Sequence, residues 1–466
     1  MANDGGRASG HRFDPTILRE YDIRGTVGTT LFEADARALG RAFAVCVAEV
    51  GGKSIAVGRD GRLSSPALEQ ALVQGLAESG IDVVRIGLGP TPMLYYAAYT
   101  LGVDGGIMVT GSHNPADYNG FKLVLQKRSF YGADIQRLGE IAARGAFRTG
   151  DGKASTVQLL EKYVDRLAID YDGKRPLTVV WDAGNGATGE ALVRLTKKVP
   201  GRHILLNEEI DGRFPAHHPD PTEAKNLAQL QEGVKQHSAD LGIAFDGDGD
   251  RIGVVDAQGR ILWGDQLMTV LAADVIRAMP GATIIADVKA SQVLFDEIAR
   301  VGGKPLMWRT GHSIIKSKMA EIGAPLAGEM SGHIFYADRY YGYDDALYAA
   351  IRLLGILGRS EASLAQLRDR LPAVVNTPEL RFPCEEARKF AVVGEVRDRL
   401  KQAGAEMTDI DGVRVKTKDG WWLLRASNTQ AVLVARAEAR DAAALDRLKH
   451  ELAGQLKASG VEPPTF

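Results

Sequence analysis

The chain has 466 residues, of which 25% are charged and 45% are hydrophobic, and its formal net charge is −2. This composition is typical of globular proteins, and the near-balance of charge argues against a nucleic-acid partner held by bulk electrostatics. Charged residues such as Asp274 and Arg352 interrupt the apolar stretches, so we expect no membrane-spanning segment of about 20 residues. Cys46 and Cys384 lie far apart in sequence, which favours a reduced, cytoplasmic protein without a disulfide framework.

Apolar strand patterns and amphipathic helix patterns alternate along most of the chain. The alternation predicts strand, helix and strand at residues 54–57, 66–79 and 83–86, and again at residues 177–181, 190–198 and 204–207. Alternation of this kind is typical of parallel α/β units.

A faint internal repeat occurs three times. Each copy has a helix, a short apolar strand and a polar loop that contains glycine, and the three loops are residues 110–115, 246–251 and 328–333. Ligands of open parallel sheets bind beyond the carboxyl ends of the strands, and all three loops occupy that position. We therefore expect three related α/β domains that direct these loops into one central cleft.

Breaks in the pattern divide the chain into four predicted domains. Residues 144–158 are polar and contain glycine, residues 256–260 indicate a hairpin turn, and residues 371–385 contain three prolines, which is typical of a linker. After this linker, two helix patterns flank three strand patterns, as in a smaller α+β domain. The predicted boundaries are residues 1–157, 158–258 and 259–371 for the α/β domains and residues 372–466 for the α+β domain.

The most informative motif is an acidic loop in which Asp246, Asp248 and Asp250 alternate with glycine. In an extended segment, alternate residues point to one side, so the three carboxylates would converge. At about 4 Å each pair would repel by about 4 kcal/mol at an effective dielectric constant near 20, and a bound cation would remove this cost. Oxygen ligands favour Mg²⁺ or Ca²⁺ over Zn²⁺. A solvated acidic turn is the alternative, and an EF-hand is disfavoured because Arg251 and Ala257 occupy the positions that require Gly and Glu.

Two other polar loops carry hydroxyl groups. Ser112 follows an apolar strand and small residues, so a ligand can approach it closely, but its surroundings are not the nucleophile elbow of hydrolases. Glu329 and Ser331 offer a carboxylate and a hydroxyl to neighbouring sugar hydroxyl groups. Taken alone, each loop would more often be a simple polar turn.

A further polar loop follows a predicted strand near the C-terminus and contains Arg425, Ser427, Asn428 and Thr429. A guanidinium, two hydroxyls and an amide within five residues can surround a phosphate group, and backbone N–H groups of the turn can add donors. The alternative is a solvated loop with a surface salt bridge.

Residues 184–189 match the Gly-x-Gly-x-x-Gly pattern of dinucleotide-binding folds, after a predicted strand and before a predicted helix. This motif supports a competing hypothesis, a dinucleotide-dependent oxidoreductase. However, Asp182 at the end of the strand would repel a pyrophosphate, and the acidic loop would remain unexplained. We therefore interpret the motif as a tight strand-to-helix connection. A non-enzymatic cation-binding protein that uses the acidic loop is the other competing class.

Taken together, these loops resemble the alpha-D-phosphohexomutase family. The resemblance covers nearly the whole chain: it begins at residues 21–25, includes residues 58–62, and then takes in the four polar loops in the family's order. It implies three α/β domains and one smaller domain around a single cleft. We expect a cytoplasmic monomer that acts on small sugar phosphates, with no nucleic-acid or membrane partner.

The resemblance also implies roles for individual residues. Ser112 would be the phosphoserine, and its phosphate together with Asp246, Asp248 and Asp250 would hold Mg²⁺. The proton-transfer candidates are Arg24, Lys122 and His333. The implied substrate-binding positions are Tyr21, Arg251, Lys289, His312, Glu329, Ser331, Arg425, Ser427, Asn428 and Thr429, the last four around the phosphate that does not react.

Such an enzyme would interconvert the 1-phosphate and the 6-phosphate of mannose or glucose. The phosphoserine would donate its phosphoryl group to the free hydroxyl of the monophosphate and give a hexose 1,6-bisphosphate, which is both intermediate and activator. That intermediate would then turn end for end and return its other phosphate to the serine. The alternative within the family is a phosphoglucosamine or N-acetylglucosamine phosphate mutase.

Overall fold

In a computed structural model, residues 10–428 and 430–464 are described, and they form four sheets that follow one another along the chain. The first sheet contains the strands β1 (Ile23–Thr26), β2 (Ser54–Arg59), β3 (Asp82–Leu88), β4 (Gly105–Val109), β5 (Tyr118–Leu125), β6 (Arg128–Ser129) and β7 (Ala154–Thr156). Its helices are α1 (Glu33–Glu49), α2 (Ser65–Ala77), α3 (Thr91–Thr100) and α4 (Ala133–Arg144). The strand order is β1-β5-β4-β2-β3-β7, with β6 paired to β5.

The second sheet has the order β12-β11-β10-β8-β9, and a predicted hairpin turn joins two of its antiparallel strands, as expected. Its strands are β8 (Leu177–Asp182), β9 (Gly201–Leu206), β10 (Leu241–Phe245), β11 (Ile252–Asp256) and β12 (Ile261–Leu262). Its helices are α5 (Leu160–Ala168), α6 (Gly189–Leu195) and α7 (Ala228–Gln236), and a short 3₁₀ helix (Ala224–Leu227) precedes α7.

The third sheet has the order β14-β13-β15-β16. Its strands are β13 (Thr283–Asp287), β14 (Lys304–Trp308), β15 (Leu326–Gly328) and β16 (Ile334–Tyr336). Its helices are α8 (Gly264–Ala278), α9 (Gln292–Arg300), α10 (His312–Ile322), α11 (Ala346–Arg359) and α12 (Leu364–Asp369).

The fourth sheet is antiparallel and packs against two helices, as predicted for the α+β domain. Its strands are β17 (Val375–Asn376), β18 (Leu380–Pro383), β19 (Met407–Thr408), β20 (Val413–Lys416), β21 (Gly420–Ala426) and β22 (Val432–Ala439), and its helices are α13 (Lys389–Gln402) and α14 (Ala442–Ala458). Within the described part of the chain, no helix combines the length and the apolar character that crossing a membrane requires.

The repeat in the first three sheets is a strand–loop–strand unit. β4, β10 and β15 each end in one of the polar loops, and the next strand, β5, β11 or β16, returns antiparallel beside it. The predicted strand–helix–strand units are parallel, as β2 with β3 and β8 with β9 show. The strand after each polar loop is antiparallel instead, because loops this short cannot carry the crossover that parallel strands need. Each polar loop is therefore fixed at both ends by hydrogen-bonded strands.

The first three sheets share one continuous hydrophobic core. It joins side chains such as Met93 of the first unit, Trp181 of the second and Leu354 of the third. The fourth sheet has its own core around Trp422, and it contacts the third unit through a small cluster that includes Val288. The first three units therefore form one packed frame, to which the fourth is joined by a smaller contact.

His217 lies in the long connection between β9 and the 3₁₀ helix. Its side chain joins this connection to the end of β8 through a hydrogen bond. Its Nε2 lies 2.8 Å from Asp182 Oδ2, and its Nδ1 lies 3.0 Å from the carbonyl oxygen of His218. A ring that faces two acceptors must donate from both nitrogens. The hydrogen bond to Asp182 raises the pKa of His217, although partial burial opposes the charge.

We expect the substitution His217→Gln to destabilise the protein more at pH 6 than at pH 9. Because the folded-state pKa is raised, the imidazolium contributes its full stability below the unfolded-state pKa of about 6.5, and this contribution is lost as the pH rises through the folded-state pKa. At pH 6 the loss should be roughly 1.5–3 kcal/mol, the range for a hydrogen bond to a charged group. Urea unfolding at both pH values measures it, with His237→Gln as the control; equal losses at the two pH values would contradict the assignment.

Candidate active site

The three polar loops of the repeat meet at the carboxyl ends of β4, β10 and β15. Ser112 Oγ of the first loop lies 3.2 Å from Asp246 Oδ2 of the second. His333 Nε2 of the third loop lies 3.2 Å from Asp250 Oδ1. The predicted convergence of three loops from three units is therefore confirmed by direct side-chain contacts.

Ser112 is held in a strained position at the start of its loop. It is 2% exposed and has a φ of +49°, in the left-handed region that non-glycine residues avoid. Its N–H donates to Thr110 Oγ1 at 2.9 Å, and its Oγ lies 3.2 Å from His113 Nδ1. Burial and the positive charges of Arg251 and Arg24 hold the pKa of His113 well below its usual range, so this ring is neutral beside the hydroxyl.

The carboxylates of Asp246, Asp248 and Asp250 converge as predicted, and each side chain is fully buried. The loop is not extended, however. Asp246 Oδ1 accepts hydrogen bonds from the backbone N–H groups of Gly249, Asp250 and Arg251 at 3.0–3.1 Å, so the chain turns around this carboxylate. The turn, rather than the alternation of an extended strand, brings the three acids together.

Lys122 of β5 supplies a cation to this acidic cluster. Its Nζ lies 2.7 Å from Asp248 Oδ2 and 2.5 Å from Asp250 Oδ2. Burial alone would lower the pKa of Lys122, but the aspartates outweigh burial and raise it. The mutual repulsion expected of the three carboxylates is thus offset in part by a residue from another unit.

The donor set fits a divalent cation. Asp248 Oδ1 is buried and has no hydrogen-bond partner, Asp250 Oδ1 faces His333 Nε2 at 3.2 Å, and the three aspartates can each offer an oxygen to one ion. Thr91 Oγ1, at the start of α3, donates to Asp248 Oδ2 at 2.6 Å and fixes that carboxylate. Burial and the two neighbouring aspartates raise the pKa of Asp246 well above its usual range, which is expected of a carboxylate in an anionic cluster.

His333 lies between the acidic cluster and the third loop. Its Nδ1 lies 3.1 Å from Glu329 Oε2 and 3.0 Å from Ser331 Oγ. Burial disfavours the charged ring, but Asp250 and Glu329 outweigh burial and raise the pKa of His333 to about 9. The imidazole is therefore protonated at neutral pH.

Two further predicted site residues lie beside His333. The ring of His312 stacks on it with centroids 5.5 Å apart, and burial and Lys316 hold the pKa of His312 well below its usual range. Arg251 Nε lies 3.5 Å from His333 Nε2.

Arg24 belongs to β1, pairs with Asp22 and has a buried Nε without a hydrogen-bond partner.

The predicted phosphate loop contains a charge pair that sequence reasoning missed. Nε and Nη2 of Arg425 each lie 3.2 Å from an oxygen of Asp411, so one carboxylate occupies the guanidinium fork. Ser427 Oγ accepts a hydrogen bond from the N–H of Gln430 at 3.2 Å. Thr429, predicted to belong to the same loop, lies outside the described residues.

Polar contacts join the fourth unit to the rest of the site. Asn428 Nδ2 donates to Tyr21 Oη at 2.6 Å, and Tyr21 Oη donates to the carbonyl oxygen of Thr310 at 3.0 Å. Burial raises the pKa of Tyr21 to about 12, so the phenol is neutral. Lys289 Nζ lies 2.9 Å from Oε2 of Glu379, which stands between β17 and β18 of the fourth unit. The predicted site residues of the first, third and fourth units are thus linked across one cleft.

The space beside the dinucleotide-type motif at residues 184–189 is occupied by other atoms of the protein. Its residues are buried, and a side chain at Gly189 would overlap the carbonyl oxygen of Glu208, while one at Gly186 would lie 2.9 Å from the carbonyl oxygen of Gly247. Asp182 Oδ1 accepts the N–H of Gly184 at 2.9 Å. These contacts support the interpretation of a tight strand-to-helix connection.

A serine hydroxyl beside carboxylates that could hold a cation, with fixed positive charges around them, is an arrangement that suits phosphoryl transfer. The fold and the site therefore define a multidomain α/β protein of the phosphoryl-transfer class. The chain belongs to the phosphoglucomutase/phosphomannomutase family. Alpha/beta/alpha domains I, II and III of this family match residues 15–148, 160–259 and 263–375, and its C-terminal domain matches residues 379–455.

Individual relatives support this membership. The phosphomannomutase/phosphoglucomutase of Pseudomonas aeruginosa is 44% identical over 443 residues, which cover 95% of this chain and 96% of that protein. The phosphoglucomutase of Neisseria gonorrhoeae is 42% identical over 447 residues, covering 95% and 97%. A solved family protein from Burkholderia thailandensis is 45% identical, has a TM-score of 0.91 and covers 96% of this chain and 98% of that chain.

A more distant solved structure shares the fold alone. The N-acetylphosphoglucosamine mutase of Aspergillus fumigatus, solved with GlcNAc-6P and magnesium, is 14% identical with a TM-score of 0.60, and covers 91% of this chain and 98% of that chain.

We expect Asp248→Asn to weaken Mg²⁺ binding roughly tenfold or more, because one hard anionic ligand is lost from the cluster. Isothermal titration of the purified protein with MgCl₂ measures the change. Asp240→Asn is the matched control, since Asp240 is a carboxylate of the same unit that pairs with Arg175 at the surface. An unchanged Mg²⁺ affinity in Asp248→Asn would contradict the cation site.

Proposed function

We propose that this chain is a magnesium-dependent phosphohexomutase that interconverts the 1-phosphate and the 6-phosphate of mannose or glucose. The observation that carries the proposal is the 3.2 Å contact between Ser112 Oγ and Asp246 Oδ2, beside Asp248 Oδ1, a buried carboxylate oxygen without a hydrogen-bond partner. The names of the relatives that are 42–44% identical support mannose and glucose as substrates.

We assign one function of the site to each unit. The serine loop belongs to residues 1–157, the cation loop to residues 158–258, the sugar-binding loop to residues 259–371 and the phosphate-binding loop to residues 372–466. The small contact that joins the fourth unit to the third supports the last boundary. The boundary between the second and third units needs correction, because β12 (Ile261–Leu262) pairs with β11 in the second sheet, so the second unit extends to the end of β12.

Ser112 carries the phosphoryl group and donates it to the free hydroxyl of a hexose monophosphate. The bond from phosphorus to Ser112 Oγ breaks as the bond to the sugar oxygen forms, which gives a hexose 1,6-bisphosphate. Charge on the equatorial phosphoryl oxygens is stabilised by fixed cations, and Lys122, Arg24 and Arg251 supply them. The bisphosphate then presents its other phosphate to Ser112.

Asp246, Asp248, Asp250 and the Ser112 phosphate would hold Mg²⁺, which when bound neutralises phosphoryl charge and acts as a Lewis acid. Thr91 and Lys122 bind Asp248 Oδ2 and so leave its Oδ1 as a ligand. The backbone N–H groups on Asp246 Oδ1 keep that carboxylate in place.

The proton-transfer candidates are Lys122, His333 and Arg24. In the arrangement described, the raised pKa values of Lys122 and His333 keep both protonated at neutral pH. A protonated group suits the return of a proton to Ser112 Oγ or to a sugar oxygen when a phosphoryl group leaves. Release of Lys122 from Asp248 and Asp250 would lower its pKa and let it accept a proton from the attacking hydroxyl.

The remaining site residues bind parts of the sugar phosphate that do not react. Glu329 and Ser331 offer an acceptor and an adjustable hydroxyl to two sugar hydroxyl groups. The phosphate and the rest of the sugar would be held by Arg425, Ser427, Asn428, Thr429, Tyr21, Lys289, His312 and Arg251. Because the intermediate reacts in two orientations, these groups must accept the sugar both ways round.

The phosphoglucosamine or N-acetylglucosamine phosphate mutase alternative receives less support. The N-acetylphosphoglucosamine mutase noted above shares only the fold, at 14% identity, whereas the relatives named phosphoglucomutase or phosphomannomutase/phosphoglucomutase are 42–44% identical.

We expect Ser112→Ala to keep the fold and lose nearly all mutase activity, because the nucleophile is removed. Activity is measured with the 1-phosphates of mannose, glucose, glucosamine and N-acetylglucosamine, and intact mass reports whether the protein carries a phosphate. Ser155→Ala, on the edge strand β7, is the control. Turnover by Ser112→Ala near that of the wild type would refute the mechanism, and a preference for the amino sugars would favour the alternative substrates.

We expect Arg425→Ala to lower kcat/KM by tenfold to a hundredfold in both reaction directions. The loss of one bidentate, charge-assisted contact corresponds to roughly 1.5–3 kcal/mol. Because the substitution also removes the charged partner of Asp411, whose Oδ2 still accepts the N–H of Thr310 at 3.0 Å, the double variant Arg425→Ala with Asp411→Asn separates folding from binding. Kinetics with hexose 1-phosphate and with hexose 6-phosphate test the idea, and a large loss in one direction alone would contradict a shared phosphate site.

A further inference from the structure

Arg62 lies beneath the serine loop, outside the site residues described so far. Its side chain is fully buried, and its Nε lies 3.3 Å from Asp60 Oδ2. Both residues belong to the connection between β2 and α2. A buried guanidinium requires partners for all five of its N–H groups, and here one carboxylate satisfies only part of that requirement.

The other N–H groups of Arg62 face backbone carbonyls of the serine loop. Nη2 donates to the carbonyl oxygens of Ser112 at 2.8 Å and Asn114 at 2.6 Å. Nη1 donates to those of Tyr118, at 2.9 Å, and Pro115. The loop that carries the nucleophile is therefore wrapped around one guanidinium group.

This contact stabilises a backbone conformation that is unfavourable by itself. Ser112 adopts a φ of +49°, and such positions persist only where the surroundings enforce them. The four carbonyl oxygens would also lose free energy on burial without donors. A lysine offers three donors at one point, so it could not reproduce the planar fork that reaches all four carbonyls.

A segment of the second unit covers Arg62 from the other side. The ring of Phe214 lies 5.0 Å from Arg62 Cζ, and Phe214 itself has a φ of +51°. A side chain at Gly212 would lie 2.5 Å from Arg62 Cα, so the backbones are in close contact. The same segment accepts a hydrogen bond from Gly247 N–H of the acidic loop on the carbonyl oxygen of Pro219, at 3.2 Å. Arg62 and the segment that covers it thus lie between the serine loop and the acidic loop and contact both.

We infer that Arg62 is a positioning residue that fixes Ser112 relative to the acidic cluster, and that Phe214 holds Arg62 in that position. The inference rests on the proposed function of Ser112 as phosphoryl donor. Arg62 reaches the carbonyl side of the loop, so its loss would shift the reacting oxygen and leave the sugar-binding residues in place. Misplacement of a reacting atom by about 1 Å costs about a hundredfold in rate.

The test uses the full-length enzyme with Mg²⁺ and the variants Arg62→Lys, Arg62→Met and Phe214→Leu. We expect kcat to fall roughly tenfold to a hundredfold in both Arg62 variants, with Arg62→Met the slower, and KM to stay within about twofold. Phe214→Leu should show a smaller loss of the same kind. The ³¹P resonance of the phosphoserine should shift in the Arg62 variants. Arg85→Gln, which removes an arginine that pairs with Glu69 away from this loop, is the control and should match the wild type.

Circular dichroism and thermal unfolding establish that each variant is folded. A folded Arg62→Lys with unchanged kcat, or with a raised KM and unchanged kcat, would overturn the inference. If both Arg62 variants fail to fold, Phe214→Leu decides it, since unchanged kcat in that variant would also overturn it. Lack of mutase activity in the wild type would instead overturn the proposed function, and with it the role of Arg62 in turnover.

Discussion

The constraint on which the rest of the site depends is the burial of three carboxylates within one loop. Asp246, Asp248 and Asp250 are each fully buried, and like charges that close together in a protein interior are costly unless cations lie beside them. The cations come from other units: Lys122 from the first and His333 from the third. The acidic loop of the second unit therefore links the three α/β units, because the first and third units each supply a positive charge that offsets the repulsion among its carboxylates.

The same strand–loop–strand arrangement occurs in each of the first three units and positions their polar loops. In each of the first three units a parallel strand ends in a polar loop, and an antiparallel strand leads away from it. Loops fixed at both ends by hydrogen-bonded strands lose little further entropy when they are ordered around a ligand. The shared core of the three units then fixes how the loops face one another. Rigid loops on a rigid frame suit a reaction whose catalysis is mostly positioning and electrostatics.

Sequence patterns predicted the strands, helices and polar loops well because those features depend on local periodicity and turn chemistry. The four sheets, the hairpin after β11 and the meeting of the three loops follow from such local signals. The contacts between units do not follow from local signals in the sequence. Lys122 meets its two aspartates across 126 and 128 residues of sequence, and neither Asp411 nor Thr91 stands in a recognisable motif. The extended geometry assumed for the acidic loop was wrong, since backbone N–H groups that bind Asp246 produce a turn that alternation of residue types does not reveal.

The fourth unit is joined to the site by contacts of a different kind from those inside the frame. Its own core is separate, and across the cleft it contributes polar pairs, Asn428 with Tyr21 and Glu379 with Lys289. Arg425 is likewise paired with a carboxylate of its own unit, Asp411. When a ligand replaces one partner of such a polar pair, the net change in free energy is small, because each lost hydrogen bond is replaced by another. In the proposed mechanism, a phosphate that enters this loop would replace Asp411 at the guanidinium of Arg425, whereas the hydrophobic core behind Ser112 and the aspartates would stay fixed. A site with a fixed reacting half and an exchangeable binding half can accept one intermediate in two orientations.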